Sequence, residues 1–398
     1  MADPENPRES SLYWGREPFN VALLTGIAIL FFLAVTTLSR IYNAQQESLA
    51  ARWAARGTDD LNARRFEPAI DDFRTALLYA RDNAAYQLSL AQALLGLDRT
   101  DEAYAYLINL WERQPENAVV NLELARIAAG RGEASSALRF YHNSIYATWP
   151  GDQETGRRKA QLELINYMLA RNLRTQAESE IIALEANVGE DPAERVQLGD
   201  LFLRVDDYDR ALKAYRSSLR LDRSNAPADA GAGKAAFELG QFPEAERYLE
   251  DALIHTPDDA ASESLLKTTQ TVLRFDPYRP QISDAERARV TMNAYAAAGD
   301  RLKSCSVSIA PAPAGAASPA GAQKNMPATV TDPELGLAEE WNSLKPKIRE
   351  ADLTRDPDLV NTVMNLVFEI EKQASNTCAA PSDTDRALLL IANFHQEN

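Results

Sequence analysis

Gly233-Lys-Ala-Ala-Phe-Glu-Leu-Gly-Gln-Phe-Pro-Glu-Ala245, running on through Leu249 and Ala252 to Pro257, decides the fold. Ala245 is followed four residues later by a bulky side chain and seven later by a small one, and a glycine precedes it by twelve. The arrangement recurs up the chain. Ala69, Ala103 and Ala137 are spaced by 34 residues, and so are Ala177, Ala211 and Ala245. The step from Ala137 to Ala177 is 40, one period plus a six-residue insertion near 152–157. Four after these alanines stand Phe73, Leu107, Tyr141, Ile181, Tyr215 and Leu249. Twelve before them stand Gly57, Ala91, Ala125, Ile165, Gly199 and Gly233. Pro115 and Pro257 each lie twelve after, where a helix should stop. A fixed period of this length marks a repeat architecture.

These positions resemble the tetratricopeptide repeat family, whose unit is a 34-residue helix–turn–helix. The first repeat carries Trp53, Gly57, Ala69, Phe73 and Ala76 at that family's Trp, Gly, Ala, Phe and Ala positions. The fourth departs most, with Ile165 where a small residue is expected. The resemblance covers residues 50–259 and divides them into 50–83, 84–117, 118–151, 158–191, 192–225 and 226–259. It implies an α-solenoid in which small residues let paired helices approach and bulky ones fill the space between pairs. It also implies a concave face, drawn mainly from the first helices, that takes an extended peptide or a helix of a protein partner. Along that register lie Thr58, Gln92, Arg126, Asn166, Asp200 and Lys234, and one turn on Asn62, Gly96, Gly130, Ala170, Arg204 and Glu238. Gln92, Arg126, Asn166, Asp200, Arg204 and Lys234 are the candidate partner contacts. Any one of them reads equally as a solvated helix residue. Only scattered members of the family's carboxylate-clamp set occur, so a grip on chaperone C-termini is not expected.

Ahead of the repeats, no charged residue occurs from Pro18 to Ser39. At 1.5 Å per residue the run reaches roughly 30 Å, the thickness of a bilayer's hydrocarbon core. This predicts a transmembrane helix over 19–39, behind a tail of 1–18 whose Tyr13 and Trp14 serve as headgroup anchors. A signal peptide is the rival reading, but Ser39-Arg-Ile-Tyr-Asn-Ala44 makes a poor cleavage site. Orientation is contested. Arg8 and Arg16 precede the span while Arg40, Arg52 and Arg56 come after it, which favours a cytoplasmic domain; a signal-anchor of this kind exports the domain C-terminal to it. The expectation leans towards a single-pass protein with its soluble part on the exported, periplasmic side.

Beyond the repeats, 260–305 read as capping helices broken by Pro277 and Pro280, with Ser283 and Glu286 as a capping box. Ala, Pro, Gly and Ser dominate 306–331, a linker, and helical spacing returns over 332–398 in Leu335–Ala351, Pro357–Ser375 and Asp383–His395. Met364, Leu366, Val367 and Ile370 read as core. Cys305 and Cys378 each close a helix, so parallel helices would bring the sulfurs together as a disulfide; two free thiols in a reducing compartment are the other reading.

Composition removes other classes. Forty-two Lys and Arg against 58 Asp and Glu leave a net charge of −16, which argues against a nucleic-acid surface. Three scattered histidines and two cysteines supply no metal cage, and no catalytic motif, cofactor loop or small-molecule site is expected. Gly231-Ala-Gly-Lys234 lacks the spacing of a phosphate loop. The whole reads as an all-α protein: one membrane helix, a tetratricopeptide solenoid and a C-terminal helical module, not an enzyme. Its expected role is a membrane-anchored scaffold for protein partners, supporting assembly of an envelope complex. A stable structural subunit of a membrane complex is the alternative.

Overall fold

The computed structural model describes residues 17–308, 333–378 and 380–396. The tail with Arg8, Tyr13, Trp14 and Arg16 lies outside them, as does the expected linker from 309 onward. Among the described residues the fold is helical and holds no strand; one isolated bridge joins Asn117 and Thr148. The chain divides into two compact units, Met1–Asn172 and Leu173–Asn398.

In the first unit α1 (Glu17–Asn62) is followed by α2 (Phe66–Tyr79), α3 (Ala84–Leu95), α4 (Thr100–Arg113), α5 (Ala118–Gly130), α6 (Ala134–Tyr146) and α7 (Gln153–Ala170). The second unit holds α8 (Arg174–Glu185), α9 (Pro192–Arg204), α10 (Tyr208–Leu221), α11 (Ala226–Glu238), α12 (Phe242–His255) and α13 (Ala260–Phe275). It continues with α14 (Asp284–Ser308), α15 (Pro333–Leu344), α16 (Glu350–Arg355), α17 (Pro357–Thr377) and α18 (Asp383–Gln396). Helix starts are capped by side chains that accept an orphan backbone N–H: Asn83, Asn117, Asp152, Asp191, Asp207, Asn225 and Asp259. The six-residue insertion lengthens α7 to 18 residues.

Each first helix turns into its second through a residue in the left-handed region. Arg64, Asp98, Gly132, Asn172, Asp206 and Gly240 have φ of 56°, 56°, 77°, 58°, 64° and 70°. They keep the repeat spacing, and all but Arg64 are glycine, Asn or Asp, the residues that tolerate this conformation best. The turn is therefore as periodic as the core.

The small residues Ala69, Ala103, Ala137, Ala177, Ala211 and Ala245 are all fully buried. The bulky residues four later are buried too, and the glycines show where three of them land. A Cβ added at Gly57 would lie 3.1 Å from the Phe73 ring, one at Gly199 2.7 Å from Tyr215, and one at Gly233 2.7 Å from Leu249. These side chains seat on the small residue of the first helix of their own pair. They close the pair from within, where only a missing Cβ leaves room for a ring or an isobutyl group. Tyr215 also fills the space to the next pair, its ring 2.3 Å from where a Gly231 Cβ would lie. Ile165, at the equivalent position of α7, is itself fully buried.

The C-terminal helices do not pack in chain order. α13 lies against α12 and α18, whereas α14 lies mainly against α17. Phe394 of α18 meets Phe242 edge-on at 5.4 Å, and His395 stacks on Tyr278 at 3.8 Å. The N–H of Glu286 donates to Ser283 Oγ at 3.2 Å, the forward half of a capping box. The helix expected over Leu335–Ala351 is broken: Lys345–Lys347 forms a 3₁₀ turn and α16 starts afresh at Glu350. Pro346 lacks the N–H that an α-helix would need there. Met364, Leu366, Val367 and Ile370 all lie in the core. Cys305 and Cys378 are joined across 73 residues of sequence, with their Cα atoms 5.6 Å apart.

α1 is the one element with a second character. Asn20–Asn62 is long and apolar enough to cross a membrane, and its apolar stretch is wholly exposed, a property that a signal sequence near an N-terminus shares.

Candidate partner-binding surfaces

In the first unit the residues of the expected ladder sit on α3, α5 and α7, and two of them are bound to one another through carboxylates. Gln92 Nε2 donates to Glu123 Oε1 at 3.3 Å. Arg126 Nη1 donates to both oxygens of Glu123 at 3.1 Å. Its Nε and Nη2 donate to Glu163 at 2.9 and 2.6 Å, a bidentate pair. One chain of contacts thus links three successive first helices. Glu123 is buried and the Arg126 side chain is 35% exposed, so the guanidinium is held in a half-dry site with two acceptors.

The Glu163 hydrogen bond, set against the cost of burial, raises Arg126 above its ordinary range. Tyr141 of α6, with its ring 5.8 Å from Tyr167, is pushed up to about 12 by burial beside Glu163. Asn166 is exposed on the same helix as Glu163 and is itself engaged. The expected cation of this face is therefore neutralised from within: one guanidinium between two carboxylates leaves the cluster with a net negative charge.

Glu123 and Glu163 were not among the expected ladder residues. They stand three before Arg126 and three before Asn166, the same register position in two repeats. Extending the ladder one turn towards the helix N-terminus finds both, since residues three apart share a face.

In the second unit Asp200 and Lys234 are exposed on α9 and α11 and line one groove of about 610 Å³. Tyr215, Gly231, Glu238 and Leu265 complete its walls. The phenol of Tyr215 donates to Asp200 Oδ1 at 2.6 Å from a fully buried ring. Burial first, then that bond, raises the phenol well above its ordinary range. A Cβ at Gly231 would lie 2.3 Å from the same ring, so the glycine is what lets α11 pass over it. Also on α11, buried Asp229 is pushed up to about 6 by that burial, with Asp251 adding to it.

Lys234 makes no ion pair among the described residues. Arg204, one turn beyond Asp200, is exposed but engaged. The groove offers a free ammonium, a carboxylate fixed by a tyrosine, and a floor of small residues at Ala230 and Gly231. Among the described residues no group of three His, Cys, Asp or Glu could hold a metal ion.

Two family models, both tetratricopeptide repeat, match residues 54–118 and 202–267. No curated protein matches the chain. Similar solved structures include the C-terminal part of a tetratricopeptide repeat-containing protein from Cytophaga hutchinsonii. It is 14% identical over 61% of this chain and 94% of that one, with a TM-score of 0.44. Pseudomonas aeruginosa pilF is 15% identical over 56% and 99% with a TM-score of 0.42, and YrrB, a protein with an unusual peptide-binding site, 16% over 49% and 97% with 0.40. The 34-residue register, the buried small residues that keep it and the two family matches agree: this chain carries tetratricopeptide repeats.

Proposed function

We propose that this chain is a membrane-anchored scaffold whose first-helix surfaces take up a segment of a partner protein. The observation that carries the reading is the groove of the second unit, where Lys234 faces solvent with no ion pair among the described residues, beside small residues at Ala230 and Gly231. A peptide laid there gains an ammonium for a backbone carbonyl or a carboxylate. Asp200, Lys234 and Arg204 are the proposed contacts in this unit, and Gln92, Arg126 and Asn166 in the first.

The apolar part of α1 is the proposed anchor, with the repeats on the exported side. A process such as assembly of an envelope complex fits a scaffold so placed. The close approach of Cys305 and Cys378 supports export, because disulfides persist in oxidising compartments.

A photo-crosslinker placed at Lys234 in native membranes tests the groove. A discrete crosslinked protein supports it; labelling no stronger than from Glu246, on α12, overturns it. Stoichiometric recovery of that protein through gentle detergent would mark a structural subunit, and salt-sensitive recovery a recruiting scaffold. A chain starting at Gln45 is expected to leave the membrane fraction. Rapid alkylation of cells is expected to leave both cysteines unlabelled, and free thiols would count against export.

A further inference from the structure

Three charged side chains from three helices meet in the interior of the C-terminal module. Arg301 comes from α14, Glu371 from α17 and Asp385 from α18, and they are 8%, 1% and 7% exposed. Arg301 Nη1 lies 3.5 Å from Asp385 Oδ2, and Nη2 donates to the Ala374 carbonyl at 3.4 Å. Arg301 and Ala374 each lie one turn before the cysteines Cys305 and Cys378, so the charges sit beside the bonded helix ends. Asp385 is also tied into the start of α18, accepting from the Ser382 N–H at 2.8 Å. Glu371 has no such tie: neither carboxyl oxygen has a hydrogen-bond partner among the described residues.

We propose that Arg301, Glu371 and Asp385 form a pH-responsive lock that holds α14, α17 and α18 together more tightly in mild acid than at neutral pH. One guanidinium among two buried carboxyls is neutral only when one carboxyl carries a proton. Asp385 already accepts a backbone N–H and faces the guanidinium. The proton therefore belongs on Glu371, the acid with no donor to support a charge. The charges acting on Glu371 come from α14 and α18 alone, Asp385 raising it and Arg301 opposing; among the described residues none on α15 or α16, which also pack on α17, contributes. Burial is the largest cause, and together they push Glu371 up to about 7.

Proton linkage sets the direction. Below about pH 4.5 Glu371 is protonated whether the helices are packed or apart, so packing carries no proton cost. Between there and about 7 the packed state must take up a proton, and opening grows by up to about tenfold per pH unit. Above 7 the carboxylate is charged in both states and the change levels off. Acidification thus tightens the module that closes against α13.

Hydrogen exchange on the full chain in detergent, normalised for intrinsic rates and read from pH 5 to 8, tests this. Amides of 357–377 are expected to lose at least tenfold in protection between pH 5 and 7, while those of 202–252 hold steady. Glu371→Gln, which copies the protonated acid, is expected to abolish that difference. Should the amide variant fail to fold, Glu371→Leu replaces it with the same expectation. Equal pH dependence in wild type and a folded variant overturns the lock, as does a wild type whose 357–377 protection is flat over this range.

Discussion

Arg126 and Lys234 occupy the same register position, one after the small residue of a first helix, yet the two regions use it in opposite ways. In the first unit the cation is enclosed by Glu123 and Glu163, each on a different helix, and serves to tie α5 to α7. In the second the equivalent cation stands over a groove, with Gly231 one turn before it where the first unit has Glu123. A single position, three residues earlier, decides the outcome. A carboxylate there turns the ladder cation into an internal tie; a glycine, packed on the Tyr215 ring, leaves it available.

The sharpest way to break this comparison is Arg126→Glu. It replaces one guanidinium between two carboxylates with three carboxylates, one of them at buried Glu123. Loss of a partner in a fully buried pair costs about 3–5 kcal/mol. The partial exposure of Arg126 reduces this to about 3 kcal/mol. Hydrogen exchange over α5 and α7 is expected to report it, and unchanged protection would mean the tie carries no stability. A charge reversal at Arg126 is therefore a poor probe of partner binding, because it strikes the fold first.

Gly231→Ala comes next. Its Cβ would meet the Tyr215 ring at 2.3 Å, and the ring is fully buried between α9 and α11. Overpacking of this kind costs about 1–3 kcal/mol, seen as a lowered midpoint in thermal unfolding of the second unit. If the midpoint holds, the ring has room to retreat and the glycine is not what shapes the groove.

Much of this architecture is legible in the sequence, because it rests on side-chain size at fixed spacing. Ala69 to Ala245 mark the buried seam, and Gly57, Gly199 and Gly233 mark where bulky side chains land. What escapes is pairing that the period does not carry. Glu163 lies 37 residues beyond Arg126 because of the insertion, so a search at one period passes over it. α18 supplies the neighbour of α13 from more than a hundred residues away, and no periodicity connects them. Glu371 reads in sequence as an ordinary helix surface residue; only the packing of α14 and α18 around it makes it buried. The left-handed turn at Arg64 escapes too, since an arginine does not announce a positive φ.

Tyr215→Phe separates the two jobs of the second unit's tyrosine. The ring stays in place over Gly199 and Gly231, and the bond to Asp200 is lost. Because Asp200 is exposed and water can replace the phenol, the cost is about 1 kcal/mol. Asp200 then moves freely, and partner crosslinking from Lys234 is expected to weaken without disappearing. Unaltered crosslinking would show that the orientation of Asp200 is irrelevant to the groove.

Lys234→Gln carries the smallest expected effect on stability and is the most informative for that reason. The ammonium has no ion pair to lose among the described residues, and its side chain is exposed on α11. Surface changes away from caps and packed seams stay within about 0.5 kcal/mol, so thermal unfolding of the second unit should be unmoved. Partner binding, measured by co-purification from membranes, should fall several-fold if the free cation is what the partner meets. Arg126→Gln makes the contrast: it is expected to cost stability by leaving Glu123 and Glu163 facing each other, whatever it does to binding. A Lys234→Gln protein that folds and binds as before would remove the distinction drawn between the two units, and would move the interface away from the groove.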